Sequence, residues 1–393
     1  MTITAPAPAP PAAAPSDRRV IVTVVACQLA GCLGYFAVMS HLVAHLRHDV
    51  GLLAGTIGLI LGIRVGVQFA LLLPVGALTD AIGARRTGMI ACAIRAVGFA
   101  LLGTADDITA LLCAAVAIAA GGALSNPSAQ SLLASVHPDR RSGGFGAYVA
   151  TQHIGTIAGP PVGLGLLALG HGFTPVAVMA ATLWALAGVL YLSLPRRAAK
   201  ATTPRFKDIF TGIRAVFRDR RFVLFALMTA PTTLLANHIM TAVPLLGFGS
   251  AAATVCLCVL AAVAASAQPF VASNRRGERP WVLRLGLLCA AGAFFVLAPL
   301  DGTQTGPLMV AAVLNGVANG LIQPSIFQRA ARHAPTERFG SYYGVLAFCA
   351  GMFSSAGDLL LGRLYDLGPT TTTAALLGVG AFALISAFGT RGP

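Results

Sequence analysis

A few ionisable side chains interrupt the long apolar stretches of this sequence, and they are candidates for proton or ion chemistry. His153 and His238 can change charge near physiological pH, whereas Arg64 and Asp358 are ordinarily charged. Such groups are costly inside a membrane and usually mark a pathway for ions, protons or polar substrates. Neutral amides in the same stretches could bind similar ligands. The candidates for coupling or substrate binding are Arg64, Gln68, His153, His238, Asn315, Asn319, Gln323 and Asp358.

Each of these candidates also has a purely structural interpretation. A histidine inside a helix can stay neutral and hydrogen-bonded, and an asparagine or glutamine can join two helices. The first six apolar stretches contain no Asp or Glu within them. If protons are coupled to the function, Asp358, His153 or His238 must therefore carry them.

Metal, nucleotide and enzyme chemistry lack the residue patterns that they need. The eight cysteines lie in apolar stretches, and none stands at metal-ligand spacing from a histidine. His153, His238 and Asp358 lie in three separate stretches with no HExxH-like spacing. We find no nucleotide-binding loop. We therefore expect no metal, no cofactor and no enzyme activity.

The composition indicates whether the chain folds in water or in a lipid bilayer. The 393 residues are 56% hydrophobic and only 10% charged, and the mean hydropathy is +0.79. A typical soluble protein has about 25% charged residues. The net charge of +14 comes from short clusters between apolar stretches rather than from one basic patch. These features exclude a soluble globular domain, a disordered chain and a nucleic-acid-binding domain.

The apolar stretches predict a polytopic all-α membrane protein. About 20 apolar residues cross a bilayer as a helix, and twelve segments meet this requirement. The predicted spans are 20–45, 53–77, 87–104, 108–134, 144–169, 174–195, 222–247, 251–272, 281–300, 305–328, 341–362 and 369–389.

The distribution of Lys and Arg predicts the orientation of these spans. Nearly all of the 27 cations lie in the terminal segments and in connections on one side. Cations favour the cytoplasmic side, so both termini are expected in the cytoplasm. The longest connection divides the spans six and six. The predicted parts are a disordered tail (1–19), a six-helix bundle (20–195), a basic linker (196–221) and a second six-helix bundle (222–393). The linker is either an amphipathic helix on the membrane surface or a plain tether.

The two predicted bundles carry short matching sequences. FGAY at 145–148 recurs as FGSY at 339–342, and NPS at 126–128 recurs as QPS at 323–325. The offsets are nearly equal, and each bundle has an even number of spans. This indicates a parallel repeat with its pseudo-axis along the membrane normal.

The connection between spans two and three reads GALTDAIGARR at 76–86. It resembles the signature loop of the major facilitator superfamily, with Ala81 and Ala84 where the family usually has Arg. The resemblance implies a role in gating for Gly76, Leu78, Asp80, Gly83, Arg85 and Arg86.

Span five reads GTIAGPPVGLG at 155–165. It resembles the glycine- and proline-rich motif of antiporters in the same superfamily, carried here by Gly155, Gly159, Pro160 and Gly163. The Arg64-x-x-x-Gln68 spacing and the segment that begins at Arg95 resemble the drug:proton antiporter-1 branch.

The resemblance implies a transporter with two six-helix bundles and a substrate site between them. We expect a monomer in the cell membrane, in contact with lipids, that exports small organic molecules in exchange for protons. Uptake of a nutrient on the same fold is the alternative. In this fold, spans two and eleven face each other, so Arg64 and Asp358 could pair to close an external gate, or each could bond locally. Span three is peripheral, so Arg95 is expected to brace helices.

Overall fold

The computed structural model of this chain describes residues 15–105, 107–194, 214, 216–272, 279–333 and 339–389. Every regular element within these ranges is a helix. The first six are α1 (Pro15–Ala44), followed by a π-helical turn (His45–Asp49), then α2 (Ala54–Ile82), α3 (Ala84–Leu102), α4 (Ile108–Ala134), α5 (Pro138–Leu167) and α6 (Thr174–Leu192). The later helices are α7a (Arg220–Thr229), α7b (Pro231–Asn237), α7c (Ile239–Leu245), α8 (Ser250–Ala272), α9 (Pro280–Leu297), α10 (Thr305–His333), α11 (Phe339–Asp366) and α12 (Pro369–Gly389).

Each of the twelve predicted spans coincides with a helix or, for span seven, with a broken helix. Nine described helices are long and apolar enough to cross a membrane, and the bent pieces of α7 form a tenth. The two helices that fall short of this criterion are α3 and α5. Three arginines reduce the hydropathy of α3, and α5 is rich in glycine and contains Pro160 and Pro161.

The helix ends extend beyond the apolar stretches in several places. The tail predicted for 1–19 is too long, because α1 already begins at Pro15. Its first turn is anchored by Asp17, whose carboxylate accepts a hydrogen bond from the backbone N–H of His137 at 3.1 Å. Residues 1–14 and most of the predicted linker, 195–213 and 215, lie outside the described residues.

The span predicted over 222–247 is a broken helix rather than a continuous one. The segment consists of three short helices, and its axis bends by 41° at His238. Proline has no N–H to continue a helical ladder, and Pro231 stands at the first break. Helix breaks at membrane depth require other donors for the freed carbonyl groups. Those donors come from α10, as described below.

The helices form two hydrophobic cores. One is built from buried residues between Val20 and Leu194, and the other from buried residues between Val216 and Ala387. The two halves meet where α2 packs along α11, α5 along α8, and α1 against α7c. The α2–α11 seam joins the start of α2 to the end of α11, at the membrane face that the charge pattern predicts to be external.

Candidate functional site

A buried histidine, carboxylate and phenol lie in direct contact in the second half. His238 is 1% exposed, and its Nδ1 lies 3.2 Å from Oδ1 of Asp358. Its Nε2 lies 2.7 Å from the hydroxyl of Tyr365. The ring of Phe294 from α9 lies 6.4 Å away and adds no titratable group. We refer to His238, Asp358 and Tyr365 as the histidine triad.

Every polar atom of the His238 ring has a partner in either protonation state. In a neutral imidazole, Nδ1–H donates to the ionised carboxylate of Asp358 and Nε2 accepts the hydroxyl hydrogen of Tyr365. In an imidazolium, both ring N–H groups donate, and the hydroxyl of Tyr365 accepts. Both protonation states of the ring are therefore compatible with the same heavy-atom positions.

The break in α7 positions His238 and is supported by α10. Asn315, which is fully buried, donates to the carbonyl of Leu235 at 3.1 Å. Asn319 donates to the carbonyl of Ala236 at 3.2 Å and also contacts Asn315. Both amides thus satisfy carbonyl groups beside the break, which fixes the backbone next to His238.

Asp358 also belongs to the α2–α11 seam. A Cβ at Gly58 would lie 2.5 Å from the backbone carbonyl oxygen of Asp358, so the two helices touch at this point. Four residues further along α2, the hydroxyl of Ser355 donates to the carbonyl of Gly62 at 2.7 Å. The turn of α11 that carries Asp358 therefore also contacts the other half of the protein.

Arg64 does not pair with Asp358. Gly58, Gly62 and Gly66 on α2 face α11, and Arg64 lies about 200° round the helix from Gly62. Arg64 instead donates through Nη1 to the hydroxyl of Tyr35 at 2.8 Å. The direction of the side chain, rather than its depth alone, makes the predicted pair impossible in this state.

Arg64 joins a second embedded arginine inside the first half. Arg95 is 9% exposed, and its guanidinium carbon lies 4.4 Å from the ring centroid of Trp184 and 5.5 Å from that of Tyr35. The carbon of Arg64 lies 5.9 Å from the same Tyr35 ring. Gln68 lies beside Arg95 near Gly122. We refer to Arg64, Arg95, Gln68, Tyr35 and Trp184 as the arginine cluster.

The glycine motif of α5 forms a close-packed face against α1. A Cβ at Gly155 would collide with Cβ of Cys32, and one at Gly159 would lie 2.7 Å from Cβ of Phe36. One turn further, a Cβ at Gly163 would lie 2.6 Å from the carbonyl oxygen of Ala37. Small residues at a spacing of four allow such close packing of membrane helices.

Two backbone carbonyl groups of this motif contact side chains of other helices, and one of them is freed by a proline. Pro161 has no N–H for the carbonyl of Ile157, and the thiol of Cys258 on α8 donates to that oxygen at 3.4 Å. The carbonyl of Pro160 lies 3.0 Å from Nε2 of His41 on α1. The contact with Cys258 joins the two halves.

The signature loop is braced against the end of α6. Gly83 has φ of +90°, which favours glycine, and it ends α2. Arg85 donates to the carbonyl groups of Tyr191 at 3.1 Å and Leu192 at 2.7 Å. Arg86 and Leu78 are exposed. The side chain of Asp80, like the surroundings of Gly76, lies outside the described part of the chain.

Two further candidates stand apart from both sites. His153 on α5 and Gln323 on α10 are each partly buried, and neither forms a side-chain hydrogen bond within the described residues. No group of three His, Cys, Asp or Glu side chains that could hold a metal occurs among these residues.

Several residues of the two sites escape sequence reasoning. Tyr365 lies seven residues after Asp358, two helical turns along the same face of the helix. This spacing could have indicated that the two side chains belong to one site. Tyr35 and Trp184 are aromatic residues in apolar stretches, and nothing in the sequence links them to the arginines.

An apolar groove of about 570 Å³ lies beside the histidine triad. It runs between α11, α12 and α7b, and Gly357 and Leu361 on either side of Asp358 are among its lining residues. Phe353 and Phe382 stack within it, with ring centroids 6.1 Å apart. Its surface suits apolar groups.

Comparison with known proteins identifies the family. The family model described as Major Facilitator Superfamily matches residues 24–357. An uncharacterized MFS-type transporter of Mycobacterium tuberculosis is 28% identical over 348 residues, which cover 84% of this chain and 82% of that protein. The multidrug resistance protein MdtH of Cronobacter sakazakii is 28% identical over 374 residues, covering 90% of each chain.

The fold agrees with this match. The crystal structure of a mutant of the nucleoside transporter NupG superposes with a TM-score of 0.79 at 14% identity, covering 94% of this chain and 98% of that one. The predicted all-α architecture of two six-helix bundles and the predicted family are both confirmed. The chain is a multi-pass membrane protein that belongs to the major facilitator superfamily of transporters.

Proposed function

We propose that this protein is a secondary active transporter that exports small organic molecules in exchange for protons. Its relatives include proteins named for multidrug resistance. The glycine face of α5, with Gly155, Gly159, Pro160 and Gly163, supports export, because it resembles the motif of antiporters. The protein would act in the cell membrane with both termini in the cytoplasm, as the positions of its cations indicate.

The contact between His238 and Asp358 carries the proposal of proton coupling. Both side chains are buried and in direct contact, so a proton bound to one lies within hydrogen-bond reach of the other. The 3.2 Å contact and the 2.7 Å contact with Tyr365 hold the imidazole in place in both states. The backbone of Asp358 touches Gly58 across the seam. Loading a proton here changes the charge at the place where the two halves meet.

Alternating access then requires the α2–α11 seam to open and close. In this structure the seam is closed along α2 from Ala54 to Gly66. Opening it breaks the hydrogen bond between Ser355 and Gly62 and separates Asp358 from Gly58. We propose that proton binding to the histidine triad from the external side accompanies this opening, and that proton release to the cytoplasm follows closure.

Transport into inside-out vesicles tests this function. A pH gradient, acid inside, is imposed across vesicles that contain the protein. A panel of labelled organic compounds is then added outside the vesicles. We expect accumulation that an uncoupler abolishes. Asp358→Asn should abolish the gradient-driven component, whereas Asp301→Asn, which changes an exposed loop carboxylate, should leave it intact. Accumulation that is unaffected by the uncoupler would contradict proton coupling.

The same assay separates export from uptake. Right-side-out vesicles should accumulate a sugar, nucleoside or amino acid only if the protein is an uptake transporter. Such accumulation, with no movement of any other compound in inside-out vesicles, would overturn the export proposal.

A further inference from the structure

The arginine cluster places two guanidinium groups inside one half, and no carboxylate pairs with them in the part of the chain that the structure describes. Neither Arg64 nor Arg95 forms an ion pair or a hydrogen bond with any carboxylate in the described residues. The apolar stretches of this half contain no Asp or Glu. An unpaired buried charge is strongly unfavourable, so membrane proteins normally place a counter-charge beside it.

The contacts of the two arginines leave donors unused. Arg64 donates from Nη1 to Tyr35, but its Nε is buried and has no hydrogen-bond partner. The Nε of Arg95 is also buried without a partner, and its guanidinium is held by the faces of Trp184 and Tyr35. Aromatic faces attract a cation but accept no strong hydrogen bond. Both guanidinium groups thus lie against the Tyr35 ring, and each keeps a buried Nε–H group that has no acceptor among the described residues.

The exposure of the side chains decreases across the arginine cluster. Arg64, Gln68 and Tyr35 are each partly buried, whereas Arg95 behind them is 9% exposed. A ligand could therefore meet Arg64 first and then Arg95. The amide of Gln68, whose Oε1 lies near the guanidinium of Arg95 at Gly122, is uncharged and adds no competing negative charge.

We propose that the arginine cluster is a binding site for the anionic group of the transported molecule, a carboxylate or sulfonate on an otherwise apolar body. Guanidinium groups match such planar or three-oxygen anions through paired N–H donors. This inference rests on the proposed transport function and names its substrate class. A small inorganic anion has the same charge chemistry, so the test below distinguishes the two.

The proposal has a consequence for the driving force. Export of a monoanion and import of one proton both move charge in the same sense, so each cycle carries two positive charges inward. Transport of an anionic substrate should then respond to membrane potential as well as to the pH gradient. With a neutral compound, one charge moves per cycle, and the dependence on potential should be weaker.

Trp184 provides a direct binding signal that does not need transport. The chain has two tryptophans, and the Trp281→Phe variant leaves Trp184 as the only indole. Because Trp184 lies 4.4 Å from the guanidinium of Arg95, an anion at that group should change its emission. The purified variant is titrated with benzoate, benzamide and benzamidine, which share one ring and differ in charge. We expect a saturable change with benzoate alone.

Variants of Arg64 test the assignment. In the Trp281→Phe background, Arg64→Gln should weaken benzoate binding at least about tenfold, as expected for the loss of a charged hydrogen bond. Arg64→Lys keeps the charge but loses the paired donors, so it should bind benzoate with an affinity between those of the parent and Arg64→Gln, and it also controls for folding. Arg47→Gln, an exposed cation at the membrane face, should bind as the parent does.

Three other outcomes would overturn the proposal, and two more separate the anion site from the proposed function. An equal change in Trp184 emission with benzamide or benzamidine would show that the site does not distinguish ligands by their charge. Unchanged benzoate binding in Arg64→Gln would remove Arg64 from the site. Saturation by chloride without displacement by benzoate would identify a site for inorganic anions only. Benzoate binding in a protein that moves no compound would sustain this site and reject the proposed function. Proton-driven export by a protein that binds no benzoate would do the reverse.

Discussion

The carboxylate of Asp366, at the end of α11, accepts hydrogen bonds from the first backbone N–H groups of α2. Its two oxygens lie 2.7 Å from the nitrogen of Ala54 and 2.7 Å from the nitrogen of Gly55. The N-terminus of a helix has free N–H groups and a partial positive charge, which a carboxylate satisfies. This helix cap comes from the other half of the protein, so it can form only while the seam is closed.

Removal of this cap should loosen the seam. Asp366→Ala loses two charge-assisted hydrogen bonds between the halves, so the open state should become more populated. Spin labels at Leu53 and Leu367, which are 62% and 71% exposed in the adjoining loops, report the separation in a cysteine-free background. We expect the distance distribution to broaden toward longer values.

A second helix cap serves as the control for Asp366. Asp107 accepts a hydrogen bond from the N–H of Ala110 at 2.9 Å and caps α4 within its own half. Asp107→Ala should cost about 1 kcal/mol of stability, as for other helix caps, without changing the label distance. Equal broadening in both variants would mean that the effect is general instability rather than release of the seam.

The glycine face of α5 offers a comparison within one helix. Gly155→Ala should lower the melting temperature, because the new methyl group would collide with Cys32 on α1. Gly165→Ala lies on the same helix with no atom near its Cβ position, so it should leave stability unchanged or raise it by up to about 1 kcal/mol through helix propensity. A thermal scan in detergent measures both. Similar melting temperatures in the two variants would reject close packing at Gly155.

The two adjacent arginines of the signature loop should differ in their effect on stability. Arg85→Ala removes donors to the last carbonyl groups of α6, where a cation also favours the helix dipole. We expect a loss of about 1 kcal/mol, or roughly 2–4 °C in melting temperature. Arg86→Ala changes an exposed side chain and should stay within about 0.5 kcal/mol of the parent. The prediction is wrong if Arg86→Ala is the more harmful of the two.

Hydropathy located most of the twelve spans, because each bilayer crossing needs a long apolar segment, although α3 and α5 are less apolar than the other helices. It could not locate the break at His238, because the donors Asn315 and Asn319 lie some 80 residues away along the chain. Pro231 was visible in the sequence, but it marks only the first break. It also could not orient Arg64. The glycines at 58, 62 and 66 mark one face of α2, yet only the packed structure shows that this face meets α11.

The contact between Tyr365 and His238 predicts how the pH dependence of transport should change in a Tyr365→Phe variant. The imidazolium needs an acceptor for its Nε2–H, and the phenol oxygen is that acceptor at 2.7 Å. A hydrogen bond to a charged group is worth more than one to a neutral group, so its loss disfavours the protonated triad more than the neutral one. Higher proton concentration is then needed to load it. Half-maximal export should move to lower external pH by about one unit. Tyr343→Phe, on the same helix about six turns away, is the control and should leave the profile in place. A profile that stays fixed in Tyr365→Phe, or moves to higher pH, would exclude the histidine triad as the proton-binding site.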